Sequence, residues 1–359
     1  MTFLIIAIGI LAAGLLSWTL TRYFLSFALD RGIMDIPNGR SSHVTPKPRA
    51  GGISFFLIFT SAVFILLSLH LLSVRETLAL SCGILIAMIG YWDDRSGLSP
   101  VFRIVVHITA AALAVYFLDG LAPIHLGFAI YLPAAAVAVI AVCSLVWLTN
   151  LTNFMDGIDG IASVEAITTA GICGILIVHR SGFNGLAILF CVLAAAVAGF
   201  LVWNWPPARI YMGDVGSGFL GFTLGVMAYI AIGQHQLSLW PPLILYGVFV
   251  IDATLTLCRR ILRAERWYAA HRTHAYQNAT VRWGHRKVTL SVAAINIFWL
   301  VPWAVLADTW PSRGPLLLLC AWTPLVAAAW WLRAGNVSYP QTLSESSLQY
   351  AVDTVKKIL

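Results

Sequence analysis

Charge is what this sequence lacks. Only 10% of its 359 residues are Asp, Glu, Lys or Arg, and 60% are hydrophobic; soluble domains carry about 25% charged residues. That shortage excludes a soluble globular enzyme and points to a polytopic membrane protein. The fold class expected is all-α, because a lipid-facing backbone must pair its polar groups within its own segment. Cysteine is sparse too. Cys82, Cys143, Cys173, Cys191, Cys258 and Cys320 lie in or at the ends of apolar runs, with no CxxC spacing, so neither a disulfide framework nor a zinc site is expected. Internal repeats and low-complexity tracts are also lacking, which leaves one bundle rather than several domains.

Long apolar runs are what the chain has in abundance. A spanning helix needs about 20 apolar residues, and by that measure there are eleven: roughly 3–21, 51–72, 76–92, 103–119, 128–148, 160–178, 185–203, 217–233, 239–257, 289–307 and 314–332. The first has no basic residues before it and is long enough to span, so it reads as a retained helix rather than a cleaved signal. With the N-terminus placed outside (periplasmic), inner segments hold 19 of the 22 Lys and Arg residues, and Arg75, Arg180 and Arg313 remain outside. Such asymmetry supports the count and the direction, and puts the C-terminus in the cytoplasm. The bundle occupies 1–332, with inner loops 22–50, 93–103, 149–160, 204–216 and 259–288; residues 333–359 form a tail. Leu348, Val352, Val355 and Leu359 share one helical face of that tail, which fits either a helix on the membrane surface or a frayed end. The net charge of +7 does not imply nucleic acid, since the basic residues sit between spans, where they face anionic lipid or phosphate.

The chain has only 15 acidic residues, and their placement carries the functional reading. Five fall in three places, each at the inner end of a span: Asp93-Asp94, Asp156 and Asp159, and Asp214. Ionisable groups beside hydrocarbon are costly and mark function. Adjacent carboxylates such as Asp93-Asp94 repel, so one can be raised toward neutrality, able to take a proton from a phosphate or help hold a cation. Asn153, Asp156 and Asp159 recur every third residue, on one face of a helical turn. Capping a helix needs one such residue; this stretch supplies more, and their oxygens are hard ligands suited to Mg²⁺. Asp214 precedes Val-Gly-Ser-Gly at a helix start, where an anion is favoured. Residues 216–221 match GxGxxG, but no strand precedes them, so a dinucleotide site is rejected. His271-Arg272-Thr273-His274 places cationic donors at a spacing that suits a pyrophosphate; zinc lacks a third soft ligand nearby. Lys47 and Arg49, after Ser41-Ser42-His43 in the first inner loop, are basic residues that read either as phosphate contacts or as a charged flank before the second span.

These stretches, in this order, resemble the polyprenyl-phosphate N-acetylhexosamine-1-phosphate transferases of bacterial membranes, over about residues 20–290. The marks are Asp93-Asp94, Asn153-(Xaa)2-Asp156-Gly-Ile-Asp159-Gly, Met212-Gly213-Asp214-Val-Gly-Ser and the histidine loop. Met34-Asp35-Ile36-Pro37-Asn38-Gly39-Arg40-Ser41-Ser42-His43 and His271-Arg-Thr-His-Ala-Tyr-Gln resemble the branch that initiates O-antigen. The peptidoglycan branch has three consecutive histidines at the latter place, which argues against a muramoyl-pentapeptide donor.

The resemblance implies a reaction in which a UDP-N-acetylhexosamine of GlcNAc, QuiNAc or FucNAc type gives its sugar-1-phosphate to undecaprenyl phosphate, releasing UMP at the inner face of the inner membrane. It implies that Asp214 and Asn153 hold Mg²⁺, with Mn²⁺ as a substitute ion. It makes Asp93 the base on the lipid phosphate, with Asp94 in support, and has Asp156 and Asp159 shape the nucleotide side. Tyr211 stands where the family stacks a ring on uracil, with Asn204 near it, and His271, Arg272 and His274 meet the phosphates. Direct attack is preferred to a phosphoaspartate route. Oligomeric state is left open, a homodimer among the options. A secondary transporter is the competing class, but transporters hold their ionisable groups near the midplane, whereas these collect at one face.

Overall fold

The computed structural model describes residues 2–35, 46–118, 133–265 and 271–336. Ser41, Ser42, His43 and the tail from 337 onward lie outside the described residues. The described residues are helical almost throughout: α1 (Thr2–Asp30), α2 (Ile53–Ser68), α3 (Val74–Ser96), α4 (Pro100–Phe117), α5 (Ala134–Met155), α6 (Ile161–Ser181), α7 (Gly185–Asn204), α8 (Asp214–Gly233), α9 (Trp240–Leu245), α10 (Gly247–Leu262), α11 (Ala275–Ala294), α12 (Val301–Thr309) and α13 (Gly314–Trp331). Among the described residues there is one two-residue antiparallel pairing, β1 (Met34–Asp35) with β2 (Lys47–Pro48).

Local chemistry sets the helix starts. Ser73 and Glu76 form a reciprocal capping box at α3, Ser99 caps α4 ahead of Pro100, and Asn184 caps α7. Each satisfies backbone N–H groups that the first turn leaves orphaned. The bundle is built around α8, where Phe222 is buried and Phe219 packs edge-on against Phe56 and Phe59 of α2 and lies beside Gly83 of α3. Helices α1 and α4 lie outermost, with Leu15, Val101, Val105 and Tyr116 exposed, as lipid-facing residues should be.

Among the described residues each of the eleven apolar segments corresponds to helix, but not always as expected; positions 119 and 128–132 of two segments lie outside the described residues. Among the described residues, nine helices are long and apolar enough to cross a membrane. Helix α2 has only 16 residues. The segment expected at 239–257 is not one helix but two, α9 and α10, because the backbone leaves helical geometry at Tyr246 (ψ 12°). Pro241 and Pro242 suit only a first turn, and the Tyr246 hydroxyl meets Thr152 Oγ1 at 2.7 Å, so the break points a polar group into the core. The inner loop expected over 259–288 is also corrected: α11 begins at Ala275 and bends at Gly284 (φ 76°). Polar residues fill its first turns, so hydropathy alone could not find it. A π-helical stretch, Ile295–Leu300, then leads into α12.

Candidate active site

The three acidic places meet at one end of the bundle. Asp93 and Asp94 come from the last turn of α3, Asn153 from the last turn of α5, and Asp214 from the first residue of α8. What locks α3 to α8 is Asp94, 3% exposed. Its carboxylate accepts the backbone N–H of Asp214 at 3.0 Å and of Val215 at 3.3 Å, where the helix dipole favours an anion. The Arg49 guanidinium holds Asp94 at 3.0 Å and Asp214 at 3.3 Å. Burial works against that charge, but Asp94, Asp214, Asp35 and Asp156 together hold the guanidinium more firmly protonated than usual.

Asp93, Asp214, Asn153, Arg103, His107 and Asn150 line a single cleft. Arg103 on α4 bridges Asp93 at 2.5 Å and Asp214 at 3.5 Å, and Asp93 also accepts the Leu98 N–H at 2.6 Å. Asn153 donates to Ser217 Oγ at 3.1 Å. Asp93 and Asp214 both reach the same Nη1 nitrogen of Arg103, which brings the two carboxylates close together. Two carboxylates that close repel unless a proton or a cation sits between them. Asp93, Asp94, Asp156 and Asp214 outnumber the two guanidiniums of Arg49 and Arg103. Among the described residues no group of three His, Cys, Asp or Glu side chains forms a metal site. The cleft instead offers two carboxylates and one amide, an all-oxygen set that fits a hard divalent ion able to take its remaining ligands from water and phosphate.

Comparison with known proteins gives the family. Residues 77–232 match the model of glycosyl transferase family 4. A decaprenyl-phosphate N-acetylglucosaminephosphotransferase of Mycobacterium tuberculosis (strain ATCC 25618 / H37Rv) is 30% identical over 313 residues, 79% of this chain and 78% of the relative. The chain belongs to the polyprenyl-phosphate hexosamine-1-phosphate transferase family. A probable undecaprenyl-phosphate N-acetylglucosaminyl 1-phosphate transferase of Bacillus subtilis (strain 168) is 27% identical over 318 residues, covering 84% and 85% of the two chains. A phospho-N-acetylmuramoyl-pentapeptide-transferase of Maricaulis maris (strain MCS10) is 45% identical, but over only 76 residues, 21% of this chain.

In this transferase the other polar residues singled out by sequence do not line that cleft but belong to adjoining loops at the same end. Asp156 is half-buried just beyond α5; burial and the Asp214 charge push its carboxyl well above the usual range, against the pull of Arg49. Asp159, 4% exposed, accepts the Ala208 N–H at 2.9 Å and faces His285 at 3.2 Å and Lys47 at 3.8 Å. Burial raises its carboxyl, but those partners outweigh burial and hold it below the ordinary value. Lys47 also lies over the Tyr211 ring, 5.3 Å from its centre. Burial and nearby carboxylates raise the Tyr211 hydroxyl, so it stays neutral.

Asn204 is 2% exposed, and its amide is used inside the protein. It accepts from Gly160 N–H and donates to the Ile210 carbonyl, both at 3.0 Å, which ties the 156–160 loop to the 205–213 loop. The histidine loop docks on the same end. His274 is buried at the start of α11, 3.3 Å from Asp252, which also accepts the N–H groups of Ala275 and Tyr276 at 2.8 and 2.9 Å. The Tyr276 hydroxyl donates to the Phe154 carbonyl at 2.9 Å, and Gly157 leaves room for it, since a Cβ there would strike that hydroxyl. His271 stacks on His274 with ring centres 4.9 Å apart. Burial, then His274 and Arg260, push His271 down to about 3. It is therefore a neutral donor, and the half-buried Arg272 beside it is the permanent cation.

Sequence reasoning missed several of these residues. Arg103 counted only as a topology charge, and His107, Asp252 and His285 had no motif of their own; Tyr276 stood inside the histidine motif without a role. For Asp252 a signal existed, since an acid inside an apolar segment is rarely idle.

Asp159 gives a pH test. Its folded carboxyl lies below the unfolded value, so the stabilisation is present above about pH 4 and is lost as pH falls through the folded value. Asp159→Asn is expected to lower the melting temperature in detergent at pH 7, with the gap to wild type closing in acid. A gap that is constant across pH would show that the carboxylate's charge contributes nothing.

Proposed function

We propose that this transferase moves N-acetylhexosamine 1-phosphate from a UDP-sugar to undecaprenyl phosphate at the cytoplasmic face of a bacterial inner membrane, releasing UMP. The lipid-diphosphate sugar so formed begins O-antigen or a related surface polysaccharide. The observation that carries this reading is the meeting of Asp93, Asn153 and Asp214 around one cleft at a helix-bundle end. Two relatives whose names specify polyprenyl-phosphate acceptors and N-acetylglucosamine support it, as does the excess of inner Lys and Arg.

An oxygen of the acceptor phosphate attacks the sugar-bearing phosphorus of the donor. That P–O bond forms as the bond to the UMP oxygen breaks, and UMP departs with the electron pair. Phosphoryl transfer asks the protein mainly for positioning and charge neutralisation. Asp93 takes the acceptor's proton. Arg103 and Arg49 offset negative charge around it, and Arg272 with the neutral His271 meets the donor pyrophosphate. Lys47 and Tyr211 flank the nucleoside. Mg²⁺ held by Asp214 and Asn153, with Mn²⁺ as a substitute, would neutralise the developing charge on the pyrophosphate.

Purified protein offered UDP-GlcNAc, UDP-QuiNAc and UDP-FucNAc with undecaprenyl phosphate and Mg²⁺ is expected to release UMP with one of them and to yield a lipid product of matching mass. No UMP with any donor would defeat the reading and leave the transporter class. EDTA should stop the reaction and Mg²⁺ restore it. Tyr211→Ala is expected to raise the donor KM about tenfold, the loss of one aromatic stacking contact, with little effect on the acceptor KM; an unchanged donor KM would remove Tyr211 from the nucleotide side.

A further inference from the structure

Two polar side chains in the cleft wall take no part in the steps above: His107 on α4 and Asn150 on α5. His107 sits one helical turn beyond Arg103, on the same face of α4, and Asn150 one turn before Asn153. Both line the cleft together with the apolar Ile86 and Ile89 of α3. They lie deeper in the bundle than the carboxylates, since position 107 is seven residues, or about 10 Å, into a helix that starts at the acidic end.

The hydrogen bonds fix the state of the imidazole. The Asn150 Nδ2 amide donates to the Val146 carbonyl at 2.7 Å, and a carbonyl can only accept. That settles which amide atom is nitrogen. The same Nδ2 lies 3.2 Å from His107 Nδ1, so its second hydrogen goes to the ring and Nδ1 must be the acceptor. The ring proton is therefore on Nε2, at the opposite edge, which among the described residues has no hydrogen-bond partner. Arg103 and Asp93 are the charged groups that face this ring.

We propose that His107, held as the Nε2–H tautomer by Asn150, donates a hydrogen bond to the phosphate of the prenyl acceptor as it enters from the bilayer. A nucleotide is polar and stays at the aqueous end, so its phosphates approach past Arg272 and Arg49. A phosphate on a hydrocarbon tail arrives alongside α4, whose outer face presents Ile104, Val105 and Ile108 to lipid, and meets Arg103 and His107 in line. The imidazole adds a directed donor without adding charge, so it does not compete with Asp93 for Arg103. Asn150 is the positioning residue, and it acts through the ring.

The acceptor's identity rests on the transferase reading, so the test separates the two. His107→Phe keeps a ring and removes the donor, and His107→Gln restores an N–H near Nε2. A hydrogen bond to a charged phosphate should make the acceptor KM rise about ten- to a hundredfold in H107F, with the donor KM within about twofold and recovery in H107Q. Native mass spectrometry should show undecaprenyl phosphate retained by wild type and lost by H107F. Asn150→Ala should raise the acceptor KM by a smaller factor, and it decides the matter if H107F does not fold. An unchanged acceptor KM and lipid occupancy in H107F, or H107Q no better than H107F, would overturn the proposal. So would both KM values rising together with a fall in thermal stability, which is the signature of lost packing. Wild type that holds the lipid through His107 yet releases no UMP would uphold this site and sink the transfer reading.

Discussion

Asp214→Asn is expected to abolish turnover while the protein still folds and inserts. The change removes one charge at the centre of the cleft and keeps the side chain's shape. Loss of one preorganised electrostatic group costs on the order of 10²–10³ in rate, and Asp214 also faces Asp93, Arg49 and Arg103. The fold should survive because the bond that seats α8 is not made by this side chain. Asp94 grips the backbone N–H of residues 214 and 215, and those groups are present in Asn as in Asp. UMP release, read beside the melting temperature in detergent, checks both halves. Near-normal turnover would remove Asp214 from the reaction, and a protein that fails to fold would mean that its charge, rather than the backbone cap, holds α3 to α8.

Gly90→Ala should be about as damaging without touching any substrate. Helices α3 and α8 cross so closely at Gly90 that a Cβ would lie 2.5 Å from the Asp214 carbonyl. Backbone cannot yield as a flexible side chain can, so the helices must move apart. Asp94, one turn further along α3, would then lose its hold on the start of α8. Overpacking of this kind costs about 1–3 kcal/mol, and a displacement of about 1 Å in a catalytic constellation can cost about 10²-fold in rate. Both stability and turnover should fall together. Gly171→Ala is the matched control: it lies in α6 with nothing within 4 Å of the added Cβ, so it should be neutral or slightly stabilising, as Gly to Ala within a helix usually is. Full activity in Gly90→Ala would show that the α3–α8 crossing tolerates movement.

Several features were readable before any coordinates. Hydrophobic runs, five acids clustered at three span ends and lopsided Lys and Arg are each properties of the chain alone. The acidic places drew notice because charge beside hydrocarbon must be matched by something. What misled was also local. Tyr246 and Ala275 looked like ordinary members of an apolar run and a polar loop, and their roles as a helix break and a helix start depend on Thr152, about a hundred positions away, and on Asp252. Asn204 looked like a substrate contact because it stands beside Tyr211, yet its amide bonds two loops to each other.

By itself the sequence determined that this chain lives in a bilayer as a helical bundle and that five of its 15 carboxylates cluster at the ends of spans, where charge costs less than in the middle of one. Only the tertiary structure decided which of those carboxylates face the cleft and which hold the frame. Asp94 and Asp159 are turned inward onto backbone N–H groups of other segments, whereas Asp93 and Asp214 line the cleft. Neighbouring carboxylates have the same chemistry along the chain. They become different only when a helix terminus or an arginine from a distant segment packs against one of them and not the other.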